Sequence, residues 1–246
     1  MELKCEIFKT KPDGTGEFKT YYTEGETSDS VLDVLIQLYN EQDPTLAFRF
    51  ACGVARCGEC AILVNGEACM ACDRNVEANM RIEPLNKLPV IRDLAVDRRY
   101  VFSQVNRMLP RGCNFEDVPA VLSAMDENEA HRRIENTIKM TNCFECLICQ
   151  SFCPRFTSEI DGFAGPFGLL MLAQMCENPA QQTVDADEVE RLTRLCLRCG
   201  KCQRHCPAKE KPLELALRLL DCAPEKQVRI TVNGQDNLRI QEKVTT

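Results

Sequence analysis

Of the 17 cysteines in this 246-residue chain, twelve fall into three runs of four. The first run is Cys52-x4-Cys57-x2-Cys60-x11-Cys72. The second is Cys143-x2-Cys146-x2-Cys149-x3-Cys153, followed by Pro154, and the third is Cys196-x2-Cys199-x2-Cys202-x3-Cys206, followed by Pro207. Short loops with these gaps wrap thiolates around iron–sulfur cores: x4 then x2 is the plant-type [2Fe–2S] spacing, and x2-x2-x3 before proline is the cubane spacing. Zinc competes for paired Cys-x2-Cys units. Zinc sites do not string four cysteines as x2-x2-x3 before proline, still less twice beside a plant-type loop. The chemistry is therefore electron relay.

In two-cluster ferredoxins the fourth cysteine of each run serves the other cluster. On that rule Cys143, Cys146, Cys149 and Cys206 hold one [4Fe–4S] cluster, and Cys196, Cys199, Cys202 and Cys153 hold the other. The crossing ties distant segments together, so folding of this region should depend on metal. For the [2Fe–2S] site, Cys52, Cys57 and Cys60 have two candidates as fourth partner, Cys69 and Cys72. Cys5, Cys69, Cys113, Cys176 and Cys222 are read as non-ligands, with Cys5 acting as a small core hydrophobe.

Four thiolates per cluster leave iron no open position for substrate. No G-x-G-x-x-G or Walker loop is visible, and His131 and His205 are the only histidines. No catalytic residue is therefore assigned to this chain. A flavin or substrate site falls to a partner, and the chain reads as the electron-relaying subunit of an oxidoreductase.

The elements that must position these cysteines divide the chain. Residues 1–95 read as strands around one helix. Leu3, Cys5 and Ile7 alternate with polar neighbours; Lys11-Pro12-Asp13-Gly14 is a turn, and a second strand follows from Glu17 to Thr23. Ser28, Asp29 and Ser30 offer N-caps for a helix with Leu32, Leu35, Ile36 and Tyr39 on one face. Asn65-Gly66 between Ala61–Val64 and Glu67–Ala71 is a hairpin signal, which carries the chain back past Cys60. Residues 96–225 read as helical, the change beginning between Pro84 and Pro89. Helices are expected over 97–109, 118–126, 127–140, 166–176, 186–195 and 212–220, with the two cubane runs at their joints. The fold class is α+β: a β-grasp plant-type ferredoxin domain, then an all-α two-cluster domain. Residues 226–246 form a tail of unassigned role with a hairpin signal at Asn233-Gly234.

The net charge of −7 disfavours nucleic acid as a partner, because the surface lacks phosphate-neutralising charge. Arg198, Lys201, Arg204 and His205 gather locally; a solvated loop offsetting cluster charge accounts for them. No apolar run reaches membrane-spanning length, and Met1-Glu2-Leu3-Lys4 lacks a signal core. Cysteine richness without a secretion signal fits a reducing compartment. The expectation is a cytoplasmic protein, or one peripheral at the inner membrane face through a partner.

The stretch Arg49-Phe50-Ala51-Cys52-Gly53-Val54-Ala55-Arg56-Cys57-Gly58-Glu59-Cys60, then Val64-Asn65-Gly66, Cys72 and both Cys-Pro runs, resembles the iron–sulfur subunit of the succinate dehydrogenase/fumarate reductase family over roughly residues 1–222. The resemblance favours Cys72 over Cys69, through the same x11 gap. It implies a partner subunit with covalently bound FAD that interconverts succinate and fumarate, and a third subunit, either a membrane anchor or a soluble donor module. Typical members carry [3Fe–4S] where the third run lacks a cysteine at the position of Cys199. This chain has Cys199, which implies a second [4Fe–4S] and a lower-potential donor, a quinol or a thiol. The tryptophan usual after the second Cys-Pro is replaced by Arg155-Phe156, and Phe152 or Phe156 would have to pack any quinone ring. The alternative is an electron-wiring subunit of another soluble flavoenzyme, acting on a different unsaturated acid or in a heterodisulfide-type reductase.

Overall fold

The computed structural model describes residues 1–108, 125–157, 163–178, 186–209 and 211–222. Strand β1 (Glu2–Thr10) buries Leu3, Cys5 and Ile7 completely, as its alternation requires. It pairs antiparallel with β2 (Gly16–Glu24), Glu2 opposite Glu24 and Thr10 opposite Gly16. Helix α1 (Val31–Glu41) starts at Ser30, whose side chain and that of Asp33 form a reciprocal capping box. Its buried face is Val31, Leu32, Val34, Leu35 and Leu38. Tyr39, expected on that face, lies outside it, 42% exposed and edge-on to Phe48. The 3.6-residue period puts position 39 between Leu35 and Leu32, but it lies in the last turn of the helix, where its ring meets Phe48.

Strands β3 (Ala61–Val64) and β4 (Glu67–Met70) flank Asn65-Gly66, both at positive φ (51° and 81°), the two-residue turn that matches strand twist. Strand β5 (Asn79–Glu83) runs parallel to β1 and antiparallel to β3. The sheet order β2-β1-β5-β3-β4, with α1 as the connection between its two hairpins, is the β-grasp arrangement. The helical pattern expected from Pro84–Pro89 onward does not start there. A short hairpin, β6 (Val90–Arg92) and β7 (Ala95–Val96), comes first. Its corner residue Asp93, 1% exposed, accepts from the amides of Thr10 and Ala47 at 2.8 and 2.9 Å and from Lys9 Nζ at 2.8 Å. A buried carboxylate so satisfied staples the hairpin to the end of β1.

Helices follow: α2 (Arg99–Met108), α3 (Glu127–Met140), α4 (Ile148–Phe152), α5 (Gly165–Glu177), α6 (Ala186–Arg194), α7 (Lys201–Arg204) and α8 (Pro212–Cys222). Asp126 caps α3 by accepting from the amides of Asn128 and Glu129. The helix expected over 118–126 falls outside the described residues except for its last two, and the tail hairpin falls outside them entirely. Helix α5 is apolar nearly all round and buries Phe167, Leu169, Leu170, Leu172 and Ala173. It forms the centre of the helical region, in contact with α2, α3, α4, α6 and α8. Buried Gln150 of α4 ties the cysteine loop to it: its Nε2 donates to Ala164 O at 2.9 Å and its Oε1 accepts from Phe167 N at 3.3 Å. The protein is α+β, with strands in the first part and helices in the second.

Candidate iron–sulfur sites

The loop after α1 curls so that its amides point at sulfur. Val54 N and Arg56 N each donate to Cys52 Sγ at 3.4 Å, and Ala55 N donates to Cys72 Sγ at 3.3 Å. Cys60 Sγ lies 3.4 Å from Cys72 Sγ, brought there by the β3–β4 hairpin and the bond from Ala71 N to Cys60 O at 2.9 Å. The amides of Val54 and Arg56 bring the Cys52 thiol down to about 6, since bonds to the charged form favour it. Burial pushes Cys60 up to about 12. Cys69 sits on β4 opposite Ile62, and burial pushes it up to about 11, with Arg74, Glu67, Asp73 and Glu77 as the charges acting on it. Of the two candidates for the fourth position, the loop amide reaches Cys72.

The two later runs share one backbone. Glu145 and Leu147 in one, Arg198 and Gly200 in the other, hold φ of 54°, 63°, 54° and 70° at matching positions. The left-handed residue after the first cysteine turns its amide inward in both: Glu145 N donates to Cys143 Sγ and Arg198 N to Cys196 Sγ, each at 3.4 Å. A short helix then follows, α4 or α7.

Two cavities lie beneath these loops. One, about 30 Å³ and mostly apolar, is lined by Cys143, Cys146, Cys149 and Cys206. The other, about 310 Å³, is lined by Cys153, Cys196, Cys199 and Cys202, with Arg155, Arg198 and Arg218 around them. Each cavity thus gathers three cysteines of one run and the last of the other. Arg155 Nε is buried without a hydrogen-bond partner. Burial pushes Cys143 up to about 11 and Cys146 and Cys202 up to about 12, and raises the Cys149 thiol well above its usual value; neighbouring sulfurs add to each shift. Thiols crowded this way need bound cationic metal to stay ionised. Among the described residues no three His, Cys, Asp or Glu side chains close around one point as a single-ion site requires. The donor sets, four thiols each with inward amides, fit an iron–sulfur group.

The sites are joined by direct contacts. A Cβ on Gly58, in the first loop at φ +72°, would lie 2.1 Å from Phe144 O and 2.9 Å from Cys146 N, so backbone meets backbone between the first and second sites. Arg98 pairs with Glu59 and donates from Nη2 to Glu145 O at 2.5 Å. Lys87 donates to Cys153 O, and Ser151 bonds Asn86. Between the second and third sites Phe152 stacks on His205, ring centroids 3.6 Å apart and planes 10° apart. Each of these residues precedes the final cysteine of its run. Phe156 is 1% exposed and packs on Tyr100.

Among the remaining cysteines, Cys5 is fully buried in the sheet core. Cys176 on α5 is pushed up to about 12 by burial. Cys113 lies outside the described residues, and Cys222 ends α8. Sequence reasoning missed Arg98, Glu59 and the Phe152–His205 stack. Only the last left a signal, an aromatic or imidazole ring before Cys-Pro in both runs.

Residues 4–103 match the 2Fe-2S iron-sulfur cluster binding domain family. A fumarate reductase (CoM/CoB) subunit from Methanothermobacter marburgensis is 30% identical over 208 residues, covering 84% of this chain and 41% of that protein. An uncharacterized iron-sulfur protein of Methanocaldococcus jannaschii is 29% identical over 199 residues, 78% of this chain and 37% of that one. The chain therefore spans about two fifths of the length of these curated relatives. A chain of the Mycobacterium smegmatis Sdh1 complex in the apo form shares the fold, with a TM-score of 0.76 at 24% identity, covering 91% of this chain and 95% of that chain. The molecule is an iron–sulfur protein with an N-terminal 2Fe–2S binding domain. Its sequence is similar to that of a fumarate reductase subunit, and its fold to that of a chain of the Sdh1 complex. Among the described residues no helix is long and apolar enough to cross a membrane.

Proposed function

We propose that this chain is the electron-relaying subunit of a fumarate reductase or succinate dehydrogenase-type complex, linking a partner FAD subunit to a low-potential donor, a quinol or a thiol. Cys52, Cys57, Cys60 and Cys72 would hold [2Fe–2S]. Cys143, Cys146, Cys149 and Cys206 would hold one [4Fe–4S], and Cys153, Cys196, Cys199 and Cys202 a second. When bound, these groups supply one-electron carriage.

The observation that carries the reading is the continuous contact of three four-thiol sites: Gly58 against Phe144 and Cys146, then Phe152 against His205. The chain's residues orient sulfur through inward amides, exclude water from the Cys149 side with Leu147, Ile148, Phe167 and Leu170, and leave Cys199 exposed at the far end. The name of the Methanothermobacter relative supports fumarate as the partner subunit's acid. Residues 1–95 and 96–225 act as separate domains in this reading, one near the flavin and one near the donor.

Anaerobic EPR of the complex isolated with its natural partners, titrated with dithionite, tests this. One [2Fe–2S] signal and two interacting [4Fe–4S] signals are expected, with a flavoprotein that reduces fumarate in the same preparation. A strong oxidised [3Fe–4S] signal in oxygen-free material removes Cys199 from the ligand set. The same three clusters with a flavoprotein inert towards fumarate and succinate would assign the chain to another flavoenzyme.

A further inference from the structure

Arg98 lies between the first and second cysteine loops, at the start of α2. Its side chain is 12% exposed, and its Nε is buried without a partner. Its two outer nitrogens face different surroundings. One meets the Glu59 carboxylate, within the loop that carries Cys57 and Cys60. The other meets the Glu145 carbonyl, within the loop that carries Cys143 and Cys146. Gly58, Glu59, Arg98, Cys146 and Leu147 line one small cavity between the loops. Arg49 Nε, 3.7 Å from Glu59 on a more exposed side chain, is the other cation at the carboxylate.

We propose that the Glu59–Arg98 pair is a fixed dipole across the gap, which sets the one-electron equilibrium between the Cys52–Cys72 and Cys143–Cys206 sites by favouring the reduced form of the second. This deepens the relay reading above and rests on it. The carboxylate end faces the first site and disfavours its reduced form. The guanidinium end faces the second site and favours its reduced form, because each added electron is a negative charge and a mostly buried guanidinium is screened less than a surface one. In each transfer one electron leaves one group and enters the other; no bond breaks and no proton moves. Arg98 is thus a positioning residue for charge. The two-site arrangement requires a fork-shaped cation, since a guanidinium bonds a carboxylate and a carbonyl together.

The test uses the holoprotein with its partner subunits and potentiometric EPR of each cluster. Arg98→Gln removes the charge and keeps the polar contacts. It should lower the potential of the cluster at Cys143, shifting the one-electron equilibrium between the first two clusters by roughly tenfold towards the first, with the cluster at Cys199 little changed. Arg98→Lys keeps the charge and loses the fork, and should restore most of that shift. Glu59→Gln should raise the [2Fe–2S] potential, shifting the same equilibrium towards the first cluster by the other end. Unchanged potentials in Arg98→Gln, equal shifts in all three clusters, or Arg98→Lys behaving like Arg98→Gln would overturn the dipole. Absence of the clusters from the unaltered complex would instead overturn the relay reading, so the two failures are distinguishable.

Discussion

The two cysteine runs of the helical region, 143–153 and 196–206, have the same spacing and the same pair of left-handed residues, yet they sit in opposite environments. In the first run Leu147 and Ile148 are each 1% exposed, and the loop is pressed against Gly58. In the second run Leu197 is 59% exposed, and Arg198, Cys199, Lys201 and Arg204 are exposed with it. The cysteines and the turn geometry set how the chain wraps around a group. The residues between the cysteines decide whether that group faces the interior or water. Solvent and local charge are among the main controls on cluster potential, so one motif written twice can give two different carriers.

The sharpest way to break the comparison is Cys206→Ser. It should disable the buried site of Cys143, Cys146 and Cys149 and leave the site of its sequence neighbours Cys196, Cys199 and Cys202 intact, with about four irons lost per chain. Iron analysis and EPR check this, with Cys153→Ser as the mirror experiment; loss of the neighbouring site instead would mean the ligation is not crossed. Next, Gly58→Ala combines a left-handed backbone with a Cβ 2.1 Å from Phe144 O. It should destabilise the holoprotein by more than about 2 kcal/mol in thermal unfolding, and weaken the spin coupling between the first two clusters. A milder probe of inside against outside is chelation. An iron chelator or ferricyanide should strip the Cys199 site about ten times faster than the Cys146 site, followed by EPR at timed intervals; equal rates would remove the distinction. The smallest effect is expected for Gly200→Ala, where a Cβ meets only Gln203 Oε1 at 3.8 Å. The left-handed φ alone should cost about 1 kcal/mol, less than Gly58→Ala despite the equivalent glycine conformation.

The cysteine spacings, the Asn65-Gly66 turn and the Ser30 cap were legible because each is a local pattern with its cause inside a few residues. The helices over 127–140 and 186–194 were legible for the same reason. Strand β5 was not, since Asn79–Glu83 is short and gains its identity only beside β1, more than seventy positions earlier. Tyr39 was misplaced because helical periodicity does not show where, along the helix, the stripe loses its packing partner. The gap between the loops was out of reach entirely: Arg98 finds Glu59 thirty-nine positions back and Glu145 forty-seven ahead. Nothing near Arg98 in the sequence marks it as more than a surface charge.

The interlocking of the two runs also sets an order for biosynthesis. The first site has all its thiols once the ribosome has added Cys72, and domains fold from the N-terminus as they emerge. The cavity lined by Cys143, Cys146 and Cys149 lacks its last thiol until Cys206 is made, while Cys153 waits for Cys196, Cys199 and Cys202. On the proposed ligand sets, neither cubane can be completed before Cys202 and Cys206 are made, so both are inserted almost together and after the N-terminal site is ready to be loaded.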